Sequence, residues 1–183
     1  MDKLILRLKQ YRILQLFVIA LRNLLGSSFV FASIFKIYGV RFTPTSGENA
    51  PIHSLAHFFE AMYQAGLYWQ FLGWGQLIAG FLLMSHTFST LGAVLFFPIM
   101  LNIFIITISF DSTGVLIITS CMLLANLCLL LWDWNKLKFV VLPQPRYYVD
   151  DSTEFSKRKI WTYFGVILFV LIVLFRIMTV KGL

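Results

Sequence analysis

Long runs of apolar residues decide what this chain can fold into. They occupy residues 13–38, 66–84, 91–109, 115–132 and 161–178, and a helix needs about 20 such residues to cross a bilayer. Lipid offers no hydrogen bonds to the backbone, so segments buried in it form helices. The sequence therefore predicts an all-α integral membrane protein with five crossings.

Composition excludes most other classes of protein. Hydrophobic residues make up 59% of the 183 residues and charged residues only 13%, whereas a soluble domain has about a quarter charged residues. The net charge of +7 comes from basic residues that flank the apolar runs, and they form no patch of the kind that binds nucleic acid. We therefore expect the lipid bilayer, and no nucleic acid, as a partner, with no separate catalytic domain outside the membrane.

The charge distribution indicates how the chain lies in the membrane. Lys and Arg concentrate in the N-terminal residues and in 133–160, so the positive-inside rule places the N-terminus in the cytoplasm. The expected organisation is a four-helix transmembrane bundle at 1–138 with an outer interfacial helix near 53–65. A cytoplasmic linker follows at 139–160, and a fifth transmembrane helix with the C-terminal tail occupies 161–183.

Polar and small residues recur at helical spacing in four of the five runs. Polar side chains inside a membrane usually face the interior of a bundle, and residues that step by three, four or seven share one helix face. The four stripes are Arg22, Gly26, Phe29, Ser33 and Lys36; Trp69, Gly73, Gln76 and Gly80; Pro98, Asn102 and Ser109; and Thr119, Asn126 and Asp133. The last run has no such stripe, which predicts a four-helix core with one peripheral C-terminal transmembrane helix.

We expect these stripes to meet in a buried polar interior, with Arg22, Gln76 and Asn102 near the bilayer midplane. The candidate ligand-binding residues are Arg22, Lys36, Trp69, Trp74, Gln76, Asn102 and Asn126. Asp133 is the expected ion-pair partner of Arg22, and Glu60 and Asp111 are the candidates for Lys36. The same residues are also consistent with helix packing alone, because interhelical hydrogen bonds contribute about 0.6–2 kcal/mol each. A pocket, a pathway and simple packing therefore stay open as alternatives.

No motif in the chain indicates a metal or a catalytic centre. His53 and His57 stand four residues apart without a third ligand, so we expect no metal, and a catalytic set is unknown. His86 is expected to be solvated in a tight turn. Cys121 and Cys128 lie about 10 Å apart along a helix, beyond the roughly 7 Å limit for a disulfide, and we interpret them as small core residues.

The first two stripes carry a family resemblance. Arg22-x-x-x-Gly26-x-x-Phe29, followed by Lys36, resembles the first-helix signature of the DoxX-like membrane proteins, and the run Gly73-Trp-Gly-Gln-Leu-Ile-Ala-Gly80 is similar to their second helix. The resemblance covers about residues 13–138 and implies a four-helix bundle in the bacterial inner (plasma) membrane.

Characterised relatives in that family include a membrane subunit of thiosulfate:quinone oxidoreductase and, more distantly, MauE-type proteins linked to disulfide formation. The resemblance thus implies quinone as the candidate cofactor. This chain departs from the pattern at Ser33, where the family often has glycine, and it has no cysteine pair suited to thiol chemistry.

Three functional hypotheses follow. The first is an accessory membrane subunit that binds a quinone or lipid head group in its polar interior and meets a membrane or periplasmic protein partner through its outer loop. The second is an oxidoreductase subunit that reduces quinone with a small sulfur or thiol donor, with Arg22 and Lys36 attracting the anion. The third is a structural or assembly factor that works through Phe58, Phe59 and Met62. Whether the chain is an enzyme stays open.

Overall fold

The computed structural model describes residues 2–43, 45–110, 113–141 and 159–181, and these residues form helices without any strand. The helices are α1 (Asp2–Leu8), α2 (Arg12–Ile37), α3 (Leu55–Gln64), α4 (Leu67–Met84), α5 (Ser89–Ser109), α6 (Thr113–Trp132), α7 (Trp134–Val141) and α8 (Lys159–Lys181). Four of them, α2, α5, α6 and α8, are long and apolar enough to cross a membrane. The prediction of an all-helical, multi-pass membrane fold is confirmed at this level.

Helix α4, which occupies the second predicted crossing, is not among those four. It has 18 residues, and its tryptophans, glutamines and glycines lower its mean hydropathy. It nevertheless packs along α2 in the antiparallel sense. Gly80 lies against Gly26 near one end of the contact, and Gly73 lies against Lys36 near the other.

Helices α2, α4, α5 and α6 form a four-helix core. α2 packs closely against α4 and more lightly against α6, while α5 packs between α4 and α6. At the centre the rings of Phe29 and Phe96 stack with their centroids 3.7 Å apart. The buried apolar cluster around them comprises Val18, Leu25, Phe29, Ala79, Leu83, Ala93, Phe96, Met100, Leu129 and Trp132. The middle of the core around these rings is therefore largely apolar, and the predicted meeting of Arg22, Gln76 and Asn102 near the midplane is wrong, because Asn102 is exposed.

Helix α8 lies outside the core, against α2 and α4, as the sequence predicts. Gly165 sits so close to the carbonyl group of Met84 that no side chain would fit there. The Arg176 guanidinium lies 3.6 Å from the ring centroids of both Phe31 and Phe35 and donates a hydrogen bond to Phe31 O at 3.2 Å. A planar cation stacks well on aromatic faces, so α8 has a buried polar anchor that its apolar sequence does not suggest.

Helix α3 corresponds to the interfacial helix predicted near 53–65. Ser54 caps it by accepting a hydrogen bond from the His57 N–H at 3.2 Å, as serine commonly does at a helix start. The ring of Phe58 lies 5.2 Å from that of Phe110 at the end of α5. The helix thus covers one end of the core. The predicted linker at 139–160 falls mostly outside the described residues, which omit 142–158.

The contact between α2 and α4 generates a test of the fold. A Cβ on Gly80 would lie 2.9 Å from Gly26 O, a backbone atom that cannot move alone. Gly80→Ala should therefore separate the helices and lower the free energy of unfolding by about 1–3 kcal/mol, as measured by chemical denaturation in detergent micelles.

Gly75→Ala on the same helix is the matched control, since a Cβ there meets only Ile99 Cδ1 at an ordinary 3.7 Å. It should be neutral or slightly stabilising, because alanine is the better helix former. Equal effects of the two substitutions would contradict the close approach of α2 and α4.

Candidate functional site

A buried ion pair joins α2 to the end of α6. Arg22 Nη2 lies 3.1 Å from Asp133 Oδ2, and the two side chains are only 3% and 1% exposed. Thr90 Oγ1 donates to the same carboxylate at 2.9 Å, and Lys136 Nζ lies 3.7 Å from Asp133 Oδ1. The structure therefore brings Asp133 to Arg22 as predicted, with two further groups at the start of α5 and in α7.

A histidine and an amide lie at the same level of α2. Asn23 Nδ2 donates to Ile19 O at 2.9 Å and lies 3.3 Å from His86 Nε2. His86 Nε2 therefore accepts, which places the ring proton on Nδ1. We call this part of the core the Arg22 end; its residues are Arg22, Asn23, His86, Thr90, Asp133 and Lys136.

The expectation that His86 is solvated is wrong. Its backbone has a φ of +56°, which turns the chain between α4 and α5 so that the ring is buried against α2. Burial, followed by the positive charge of Arg22, lowers the pKa of His86 from 6.5 to about 4. The imidazole is therefore neutral at physiological pH.

Several buried polar atoms at this end have no hydrogen-bond partner among the described residues. They are Arg22 Nε, Asn23 Oδ1 and His86 Nδ1. Both amide atoms of Asn135, a buried residue of α7 two positions after Asp133, are unpaired as well. Leaving such an atom unpaired costs about 1–3 kcal/mol, and lipid supplies no substitute. The set contains donors and acceptors, so it suits a polar group that offers both. Elsewhere in the described chain, Gln15 Oε1, His57 Nδ1 and Gln76 Oε1 are also unpaired.

Gln76 does not belong to the Arg22 end. It is buried on the face of α4 that packs on α2, between Gly73 beside Lys36 and Gly80 beside Val30. That level is roughly 12 Å or more along α2 from Arg22, at 1.5 Å per residue.

The predicted stripe on α5 is wrong. Pro98, Asn102 and Ser109 are all exposed, and the buried face instead contains Ser89, Gly92, Ala93, Phe96, Met100 and Thr107. The physical reason is Gly92, whose Cα packs against the backbone of Leu82 and Leu83 and so fixes the rotation of the helix. Ser89, Gly92 and Ala93 are small residues at helical spacing, a signal that could have identified this face.

Asn126 and Trp74, two of the candidate ligand-binding residues, have different environments. Asn126 is fully buried. With its amide turned to suit its neighbours, it donates to Ala93 O at 3.3 Å and accepts from the Phe97 N–H at 3.2 Å, so it ties α6 to the backbone of α5. Trp74, a predicted ligand-binding residue, is 53% exposed, because the face of α4 that carries Gly73 turns toward α2, and its place in a buried interior is wrong.

Lys36 lies at the opposite end of the core in an aromatic setting. Its Nζ donates to Ala32 O at 3.0 Å and lies 4.8 and 5.0 Å from the ring centroids of Phe42 and Trp69. Trp69 is buried and donates through Nε1 to Val40 O at 3.1 Å. Cation–π contacts thus stabilise the Lys36 ammonium.

The predicted pairing of Lys36 with Glu60 is wrong, because Glu60 has other partners. It accepts hydrogen bonds from Arg41 Nη2 at 2.8 Å and from the Gly47 N–H at 3.1 Å. The hydrogen bond from Arg41 is the main cause that lowers the pKa of Glu60. This pairing fixes the outer loop on α3. Asp111, the other candidate, lies outside the described residues.

Cys121 and Cys128 are free thiols on the exposed face of α6, not core residues. The buried face of that helix contains Thr119, Asn126 and Leu129, so the cysteines point away from the core. Among the residues that the structure describes, His, Cys, Asp and Glu do not gather in any group that could hold a metal.

The ion pair gives a second test. Asp133→Asn leaves the Arg22 charge buried without its partner, which should lower the free energy of unfolding by about 3–5 kcal/mol. Adding Arg22→Gln should restore part of that loss, as a double-mutant cycle in detergent would measure. Glu48→Gln is the control: its 3.4 Å contact with Arg41 is 56% exposed on the glutamate side, so its effect should stay below about 1 kcal/mol.

The titration of His86 gives a third test. The folded protein holds it neutral, with a pKa of about 4, whereas the unfolded chain protonates it near the ordinary value of 6.5. Acidification between about pH 6.5 and 4 therefore favours unfolding, and the melting temperature should fall across that window. His86→Asn should fall less steeply, since asparagine tolerates the positive φ and does not titrate. Parallel curves for both proteins would refute this role of His86.

Comparison with known proteins adds one partial match. The chain is 34% identical over 92 residues to the uncharacterized protein YwoB of Bacillus subtilis (strain 168), and the aligned segment covers 50% of this chain and 56% of that protein. The chain thus matches little more than half the length of that relative. No protein-family model matches the chain. No solved structure matches it either.

Proposed function

We propose that this chain is an accessory subunit in a membrane that binds the polar head group of an amphipathic molecule, a lipid or a quinone, at the Arg22 end. The observation that carries the proposal is the set of unpaired buried atoms on Arg22, Asn23, His86 and Asn135. Because Asp133 neutralises Arg22, the head group needs hydrogen-bonding atoms more than it needs a charge.

We further propose five crossings in a bacterial inner membrane, with the N-terminus in the cytoplasm. The antiparallel contact of α4 along α2, from Gly26 to Lys36, supports a crossing by α4. The short 85–88 connection then returns the chain into α5. The Arg22 end is the one nearer the basic N-terminal residues, which favours its cytoplasmic placement.

A DoxX-like relationship is part of the same proposal. The residues that carry it on α2, namely Arg22, Gly26, Phe29 and Lys36, are all buried on one face, where side chains matter most to a bundle. A periplasmic or membrane protein partner would meet the loop around α3. The quinone-reducing alternative requires Arg22 and Lys36 to attract an anion. Asp133 already pairs with the first, and aromatic rings surround the second, so we prefer binding.

A structural or assembly role is the second candidate. It is favoured by the number of polar groups whose partners lie within the protein: Arg22 with Asp133, Asn126 with the backbone of α5, and Trp69 with Val40. Under this candidate the unpaired atoms are a tolerated cost of packing.

Asn135→Leu separates the two candidates, because it removes two unpaired amide atoms and no hydrogen bond seen within the described chain. The probes are phosphatidylglycerol and a short-chain quinone, added to delipidated protein and counted by native mass spectrometry. Loss of one or two hydrogen bonds to the ligand should weaken binding about tenfold, while the stability of the delipidated protein stays level or rises.

Gln70→Leu is the matched control, since Gln70 is an exposed amide on α4 and its loss should leave binding unchanged. If wild type binds neither probe, or if Asn135→Leu binds as well as wild type, the binding proposal fails and the structural role is favoured.

A further inference from the structure

Helix α5 presents an amide to the surroundings of the bundle. Asn102 is exposed and makes no hydrogen bond through its side chain in the described structure. It stands seven residues before Ser109, the end of α5, and so lies about 10 Å inside the helix at 1.5 Å per residue. This helix is among those long and apolar enough to cross a membrane. The amide therefore faces the hydrocarbon of the bilayer.

Asn102 cannot reach water from that depth. Lys and Arg extend long stems to the membrane surface, but the asparagine side chain is too short to do so. Pro98, one turn earlier on the same exposed stripe, has no N–H, so the carbonyl group of Val94 loses its usual helical donor. Two hydrogen-bonding groups thus lie on one lipid-facing surface. A polar group in lipid favours association with another helix that can satisfy it.

The chemistry of the Asn102 amide indicates which helix would be its partner. It contains a donor and an acceptor, so two identical amides satisfy each other completely. All copies of a membrane protein insert in the same orientation, which puts Asn102 of each copy at the same depth. A twofold axis along the membrane normal then brings the two residues together, and cyclic pairs are the commonest assemblies of identical chains. A different partner would need a matching polar group at that depth.

We propose that two copies of this chain associate through the exposed face of α5, with the Asn102 amides hydrogen-bonded across the axis. This surface lies on a different helix face from the Arg22 end, so the proposal does not depend on the proposed function.

The first experiment measures dimerisation of the full-length chain in lipid nanodiscs or bicelles at several protein-to-lipid ratios. Asn102→Leu should weaken association about 3- to 30-fold, the range expected for one interhelical hydrogen-bonded pair, and Asn102→Gln should largely restore it. Leu124→Ala is the control: Leu124 is 61% exposed but belongs to α6 and not to α5, and its loss should leave association unchanged. Asn102→Leu removes no hydrogen bond made within the described part of the chain, so the variant is expected to fold.

Cysteine cross-linking provides a second measurement. In a Cys121→Ser/Cys128→Ser background, Asn102→Cys should form a disulfide-linked dimer in membranes under copper-phenanthroline oxidation, whereas Leu124→Cys should not. The proposal is overturned if the wild type is monomeric at every ratio, if Asn102→Leu associates as well as wild type, or if the Asn102→Cys variant links only to a different protein.

Discussion

Lipid provides no hydrogen bonds, and this constraint accounts for most of what the side chains of this protein do. A polar group that enters the bundle must find a partner within the protein or with another molecule. Asp133 shows the first outcome, since Arg22, Thr90 and Lys136 surround its carboxylate. Asn126 shows it too, because it is inserted against the backbone of α5. The unpaired atoms of Asn135 and the exposed amide of Asn102 have no such partner within the described protein. Both of our proposals assign them a partner in another molecule.

Close backbone contacts set the geometry that makes these pairings available. Gly26 and Gly80 allow α2 and α4 to touch, and Gly92 brings α5 against α4 in one rotation. These contacts fix the positions and rotations of α2, α4 and α5 relative to one another. The polar side chains on these helices therefore have few partners within reach. Packing of this type, rather than the hydrophobic effect, holds helices together in lipid. The stacked rings of Phe29 and Phe96 then fill the centre of the core, with Arg22 toward one end and Lys36 toward the other.

The sequence predicted the fold more fully than the site. Periodicity identified the buried faces of α2, α4 and α6, because Arg22, Gln76 and Asn126 each repeat with small or polar residues on one stripe. It also predicted the Arg22–Asp133 pair from their depths. It failed on α5, which has a polar stripe and a stripe of small residues on different faces. The face with the small residues is buried, because it allows close backbone contact with α4. Periodicity also failed on His86, whose burial depends on a positive φ in a four-residue connection that no spacing rule describes, and on Glu60, which binds a cation from its own loop.

The lighter packing between α2 and α6 has a consequence for how anything could enter the bundle. The other neighbouring helices of the core pack closely. Glycines allow close backbone contact between α2 and α4 and between α4 and α5, and α5 and α6 also pack closely. The contact between α2 and α6 is the remaining one, and the ion pair of Arg22 and Asp133 holds these two helices together at its end. Parting the two charges in lipid is costly unless the entering molecule supplies hydrogen bonds in exchange. An acyl chain alone cannot do so, whereas a head group can. Under the proposed function, the contact between α2 and α6 would therefore admit head groups in preference to acyl chains.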